Sequence, residues 1–183
     1  MNEFNLNNDF QERRRTEYAV VIFLPQRLDS IITPFRQKYD PFYNRVDSHI
    51  TIIFPFESSM ALEELSLMIK KITDNHKPLA VELNSIGDFY PRSPVIYWEI
   101  QKNDAICELY YQLYASLDLP IPIKDYKPHV TLAREISNHR LISVKDAIAS
   151  YLPSEKFEVH SIDLVTPLVN DRWVTVRSFP LKK

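Results

Sequence analysis

The order of elements predicted for the first half of the chain recurs about 80 residues later, and this repeat limits the possible architectures more than any composition figure. Tyr18–Leu24 (YAVVIFL) is β-branched and aromatic and closed by Pro25, which predicts a buried strand. Gln26–Tyr39 carries Leu28, Ile31, Ile32 and Phe35 at helical spacing, with Pro34 expected to weaken its second half. Ser48–Phe54 (SHITIIF) predicts a strand ending at Pro55. Ser58–Thr73 predicts a helix capped by Ser58 or Ser59, with Leu62, Leu65, Met68, Ile69 and Ile72 on one stripe. Leu79–Ile86 alternates as a strand, and Gly87–Ser93 is a loop. From Pro94 the series restarts: a strand at Val95–Ile100, a helix capped by Asn103 and running through Leu117, a strand at Lys127–Ala133 and a helix at Asn138–Tyr151. Phe157–Thr166 and Arg172–Phe179 close the chain as a hairpin turning at Leu168–Asp171. The expected class is α+β, with antiparallel or mixed sheets. Two pseudo-symmetric half-repeats, residues 18–88 and 94–180, share one core in a single bilobal domain over residues 16–183, behind a flexible arm at residues 1–15.

Composition removes several function classes. The chain has 183 residues, 45% of them hydrophobic, enough for one domain and too many for a disordered chain. A net charge of −2 argues against a broad basic face coating duplex nucleic acid, but leaves room for a small nucleotide or an RNA end. One cysteine, Cys107, excludes a disulfide framework and a Cys-based zinc site. The N-terminal MNEFNLNNDFQERRR lacks the apolar stretch of a secretory signal, and no apolar run approaches the ~20 residues of a membrane helix. A cytoplasmic location is expected. Gly87 is the only glycine against 13 prolines, so no glycine-rich phosphate loop can form. Phosphate, if bound, must be held by side chains or helix N-termini.

The chemistry concentrates in two triplets, His49-Ile50-Thr51 and His129-Val130-Thr131, at equivalent places in the two half-repeats. Residues i and i+2 of a strand share a face, so each triplet projects an imidazole and a hydroxyl side by side. Thr fills 7 of 183 positions, so it follows a given His by two places about once in 26. A lone His on a strand reads as structural. Two pairs in register across a repeat read as a site with His49, Thr51, His129 and Thr131 as its catalytic groups. Ile53, Phe54 and Leu132 beside them read as core.

The segments HITIIF and HVTLAR resemble the two signatures of the 2H phosphoesterase superfamily, and within it the bacterial 2′-5′ RNA ligase-like, or LigT-like, branch. The resemblance extends over roughly residues 18–180. It implies two lobes flanking a central cleft, with one H-x-T on each wall. It also implies a cyclic phosphodiesterase or 2′-5′ RNA ligase-like hydrolase that acts on 2′,3′-cyclic or 2′-5′-linked ends of RNA or nucleotides. His129 would then be the general base and His49 the general acid in hydrolysis, exchanging roles in ligation. The residue types suit this chemistry, since histidine exchanges protons near neutral pH and Thr hydroxyls can hold the non-bridging oxygens. No metal and no cofactor is expected. The expected partner is an RNA end or a small nucleotide, with no membrane, and the expected state is a monomer.

Four further residues are candidate substrate contacts. Tyr126 and Tyr90 could stack a base, as could Phe56 and Tyr97, against a competing reading as core. Lys127 shares the parity of His129 and could line the cleft mouth or be merely solvated. Arg134 follows the second motif, and strict alternation would turn it to the opposite face. His76, His139 and His160 lack the Thr and read as structural or surface residues, and Asp171 and Arg172 as turn residues. Two competing functions remain: a metallohydrolase liganded by His49 and His129, although no carboxylate stands at ligand spacing, and a binding module for RNA ends or nucleotides without turnover.

Overall fold

The computed structural model describes residues 16–182; the N-terminal arm expected at residues 1–15 lies outside them. Eight strands and four helices follow in the order β1 (Thr16–Phe23), α1 (Gln26–Tyr39), β2 (His49–Ser58), α2 (Leu62–Thr73), β3 (Leu79–Asp88), β4 (Ile96–Ile100), α3 (Asp104–Ser116), β5 (His129–Ala133), α4 (Asn138–Ala149), β6 (Glu155–Val159), β7 (Ser161–Pro167) and β8 (Trp173–Pro180). They form one eight-stranded sheet in the order β6-β3-β4-β5-β2-β1-β7-β8, and its described pairings are all antiparallel. The fold is α+β and bilobal, with two pseudo-symmetric four-strand halves, β6-β3-β4-β5 and β2-β1-β7-β8.

The halves of the sheet are not the halves of the sequence. β3 leaves its own repeat to pair with β4, and β7 makes the equivalent crossing to β1. α1 packs against β5 and α3 against β2, so the first helix of each repeat covers the motif strand of the other. The segment expected as one strand from Phe157 breaks at His160, because β6 pairs with β3 while β7 pairs with β1. A single residue spans roughly 7 Å between Cα neighbours, whereas six strand spacings in a flat sheet would span roughly 29 Å. The sheet must therefore curl, and the curl makes the cleft.

Local chemistry explains where other elements depart from expectation. α1 runs unbroken past Pro34. β2 continues through Pro55 because its register with β1 shifts there, Tyr18↔Phe56 being followed by Val20↔Ile53. An extra residue of β2 bulges at this point, as another does between Ile53 and Thr51, and a bulge tolerates the missing N–H of proline. The bulge is pinned from below: the Phe54 amide donates to the Tyr114 hydroxyl at 3.1 Å. Ser58 ends β2 and its hydroxyl accepts from the Met60 amide, so α2 begins only at Leu62, without a side-chain cap. Asn103 caps α3 as expected, accepting from the Ile106 amide at 3.2 Å. No helix among the described residues is long and apolar enough to cross a membrane.

Candidate active site

The two halves of the sheet meet at one residue pair, Ile50↔Val130. These are the middle residues of the two H-x-T triplets, and both are fully buried. Antiparallel register about that pair sets His49 against Thr131 and Thr51 against His129. Because the flanking residues share the face opposite to Ile50 and Val130, all four project into one cleft. They line it together, and its volume is about 450 Å³.

The two imidazoles are held in the same way. His49 Nδ1 lies 2.8 Å from the Asp47 carbonyl, and His129 Nδ1 lies 2.8 Å from the Lys127 carbonyl. A carbonyl oxygen can only accept, so each Nδ1 carries the proton and each Nε2 is left for the cleft. The side chains of Thr51 and Thr131 have no hydrogen-bond partner among the described residues, so their hydroxyls are likewise open to a ligand.

The surroundings of the two histidines differ. Burial pushes the His49 imidazole down to about 4; the Asp47 carbonyl opposes this, and the charges of Arg36, Arg134 and His129 add to the fall. His129 is also lowered, by burial first and then by Arg134 and Lys127 against the pull of the Lys127 carbonyl. Phe23 stands beside His49 in the β1 register, whereas Glu99 and Tyr97 stand beside His129 and Thr131 in the β4 register. Phe89 closes over His129 edge-on, with ring centroids 4.9 Å apart, and packs on Tyr97 at 4.3 Å.

The substrate-contact candidates separate. Tyr126 lines the cleft, but its ring stacks on Tyr110 at 4.0 Å and its hydroxyl donates to the Thr51 carbonyl at 2.6 Å. It therefore braces the first motif. Lys127 lines the cleft, paired with Glu99 at 2.5 Å and over the Tyr97 ring at 5.2 Å. Arg134 lines the cleft, contrary to strict alternation: β5 ends at Ala133, and Glu135 turns through a φ of 56°, so strand parity no longer applies. Tyr90 is exposed and does not line the cleft; its neighbour Phe89 does. Tyr97 is buried beneath Phe89, Phe56 lies outside the cleft lining, and Phe54, expected as core, is half-buried on the cleft wall. His76 is buried and bonded to Gln112 at 2.9 Å, while His139 and His160 are exposed. Arg172 does more than form a turn, reaching the Asp47 carboxylate at 3.4 Å.

Besides Phe89, four residues in or behind the site are not marked by any motif. Arg92 and Trp173 line the cleft. Behind His49, the buried Arg36 donates to Ser48 Oγ at 3.0 Å and to the Val46 carbonyl at 3.0 Å, and pairs with Asp40 at 3.3 Å. Helical spacing does place Arg36 and Asp40 together at i, i+4, but nothing local shows that this pair is buried. Among the described residues, no three His, Cys, Asp or Glu side chains cluster as a metal site.

A profile of the 2′-5′ RNA ligase superfamily matches residues 24–171. The chain belongs to that superfamily. It is thus a 2H phosphoesterase, a phosphoesterase-type enzyme with 2′-5′ RNA ligase-like character. A Geobacillus kaustophilus protein provisionally named a phosphoesterase is 27% identical over 166 residues, covering 89% of this chain and 95% of its own. A Shouchella clausii protein with the same kind of name is 28% identical over 172 residues, covering 90% and 98%. In fold, the chain is similar to Escherichia coli LigT crystallised with 3′-AMP, with a TM-score of 0.68 at 20% identity over 93% of this chain and all of LigT.

Proposed function

We propose that this phosphoesterase cleaves 2′,3′-cyclic phosphates or 2′-5′ phosphodiesters at the ends of RNA or nucleotides, using His49 and His129 as an acid–base pair without a metal. The observation that carries this reading is the reciprocal register about Ile50↔Val130, which faces each imidazole with the opposite threonine on one cleft wall. In hydrolysis one Nε2 takes a proton from water as its oxygen bonds to phosphorus. The P–O bond to the ribose oxygen breaks, and the other Nε2–H gives its proton to that oxygen, leaving a phosphomonoester. Thr51, Thr131 and Arg134 would hold the non-bridging oxygens as charge develops. Burial, with the charges of Arg36 and Arg134 adding to it, lowers His49 to about 4, while His129 is also lowered; we read these surroundings as favouring His49 as the acceptor and His129 as the donor, the reverse of the roles implied by resemblance. The E. coli LigT structures with 3′-AMP, ATP and NADP+ support a nucleotide-type ligand. Arg92, Lys127, Phe89, Phe54 and Trp173 would contact it beyond the scissile phosphate. We place this reaction in the cytoplasm and assign it to the monomer.

The test is turnover of 2′,3′-cyclic nucleotides, 2′-5′ dinucleotides and 3′-5′ dinucleotides, each with and without excess EDTA. Turnover of the first or second class, unchanged by chelation, is expected. Loss of all activity on chelation would replace this mechanism with a metallohydrolase, and nucleotide binding without turnover would make the chain a binding module.

A further inference from the structure

Arg134 meets the cleft with an asymmetric set of contacts. Its Nε is buried without a hydrogen-bond partner and lies in ion-pair range of Asp40 Oδ1 at 3.6 Å, and its two Nη groups have no hydrogen-bond partner among the described residues. Its amide donates to the Tyr39 carbonyl at 2.9 Å, tying the end of β5 to the end of α1, and its guanidinium carbon lies 5.8 Å from the Phe42 ring centre. The Asp40 carboxylate has no solvent exposure and divides its oxygens. Oδ2 accepts from Arg36, which holds the segment leading to His49, and Oδ1 accepts from the Phe42 amide at 3.1 Å while facing Arg134. A buried carboxylate persists only when its charge and lone pairs are engaged, and here two guanidiniums share it.

We propose that Asp40 is a positioning residue for phosphate binding: it holds the Nε edge of Arg134 so that the two Nη groups face the cleft as a fork for two non-bridging oxygens. This rests on the phosphoesterase reading of the cleft. A guanidinium has separate edges for the two roles, whereas a lysine ammonium at the same place would carry the charge without an edge for Asp40 to hold. The orientation is thus set by a residue that never touches substrate.

The test measures inorganic phosphate binding by calorimetry and kcat/KM on a 2′,3′-cyclic nucleotide, for the wild type and for Asp40→Asn, Arg134→Gln, Arg134→Lys and the Asp40→Asn/Arg134→Gln double variant. Each single variant should weaken phosphate binding and lower kcat/KM by roughly 10- to 100-fold, the usual worth of charge-assisted hydrogen bonds. In the Arg134→Gln background, Asp40→Asn should cost less than about 2-fold more, because both act through one interaction. A purely structural Asp40 would show its full loss in both backgrounds, and that result overturns the proposal. Wild-type phosphate binding in Arg134→Lys also overturns it; that charge-conserving variant decides the matter if Asp40→Asn leaves Arg36 uncompensated and does not fold. Phosphate binding that follows the expected pattern without turnover of the cyclic nucleotide would remove the proposed reaction and leave the positioning role standing.

Discussion

The only glycine of the chain offers a quantitative test of how the second motif is built. Gly87 pairs with Tyr97 across β3 and β4, and its φ is not positive, so its backbone makes no demand that alanine could not meet. Space is the constraint. A Cβ at position 87 would lie 2.5 Å from Tyr97 Cζ and 2.6 Å from both Cε2 and the hydroxyl oxygen. Ordinary contact needs roughly 3.5 Å, so the ring must move about 1 Å. It has little room to do so: Tyr97 is 3% exposed, with the Phe89 ring at 4.3 Å and the His129 ring at 5.2 Å. Overpacking of this kind costs about 1–3 kcal/mol. For a domain of this size that lowers Tm by roughly 2–12 °C in Gly87→Ala, read by thermal or urea unfolding. Since the displaced ring presses on His129, kcat/KM should fall by roughly 10- to 100-fold. Removing the ring in Tyr97→Ala should abolish the added cost of the methyl group. A neutral Gly87→Ala, or a cost unchanged in the Tyr97→Ala background, would refute the steric argument.

His49→Ala and His129→Ala should each lower turnover by roughly 10²–10⁴-fold with near-native circular dichroism, and a variant with normal activity removes that histidine from the mechanism. Thr51→Ala and Thr131→Ala should each cost about 2–4 kcal/mol of transition-state stabilisation, read as kcat/KM. The profile of kcat/KM against pH should be bell-shaped in EDTA, with its alkaline limb below the ordinary histidine value because both imidazoles are lowered; a single ascending limb would contradict the two-histidine mechanism. Stability should fall with acidification. The folded His49 titrates near 4 and the unfolded one near 6.5, so the unfolded chain binds more protons in that window. The linked loss is at most about 3 kcal/mol, and unfolding free energies that stay flat from pH 6.5 to 4 in the wild type would refute it.

Local patterns in the chain were sufficient for the features that depend on near neighbours. The alternation around His49 and His129 put each imidazole and its threonine on one face, because strand parity holds wherever the strand continues. Arg134 escaped that rule one residue beyond the end of β5, where nothing local signals that the chain is about to turn into the cleft. Phe89 and Tyr90 are adjacent aromatics in a loop without periodicity, so their sequence gives no means of choosing the one that covers His129.

What the sequence determined alone is therefore the duplicated series of elements, the buried strands and the four H-x-T side chains. The tertiary structure decided how the two copies interlock. β6 and β7 read as one apolar strand because strand-forming residues record burial and not the identity of the partner. Only the curled sheet separates them at His160, sends β7 to β1 and brings Ile50 against Val130. The same long-range packing buries Asp40 between Arg36 and Arg134 and lowers both imidazoles. Burial and charge proximity are sums over the whole fold, and no short stretch of sequence contains them.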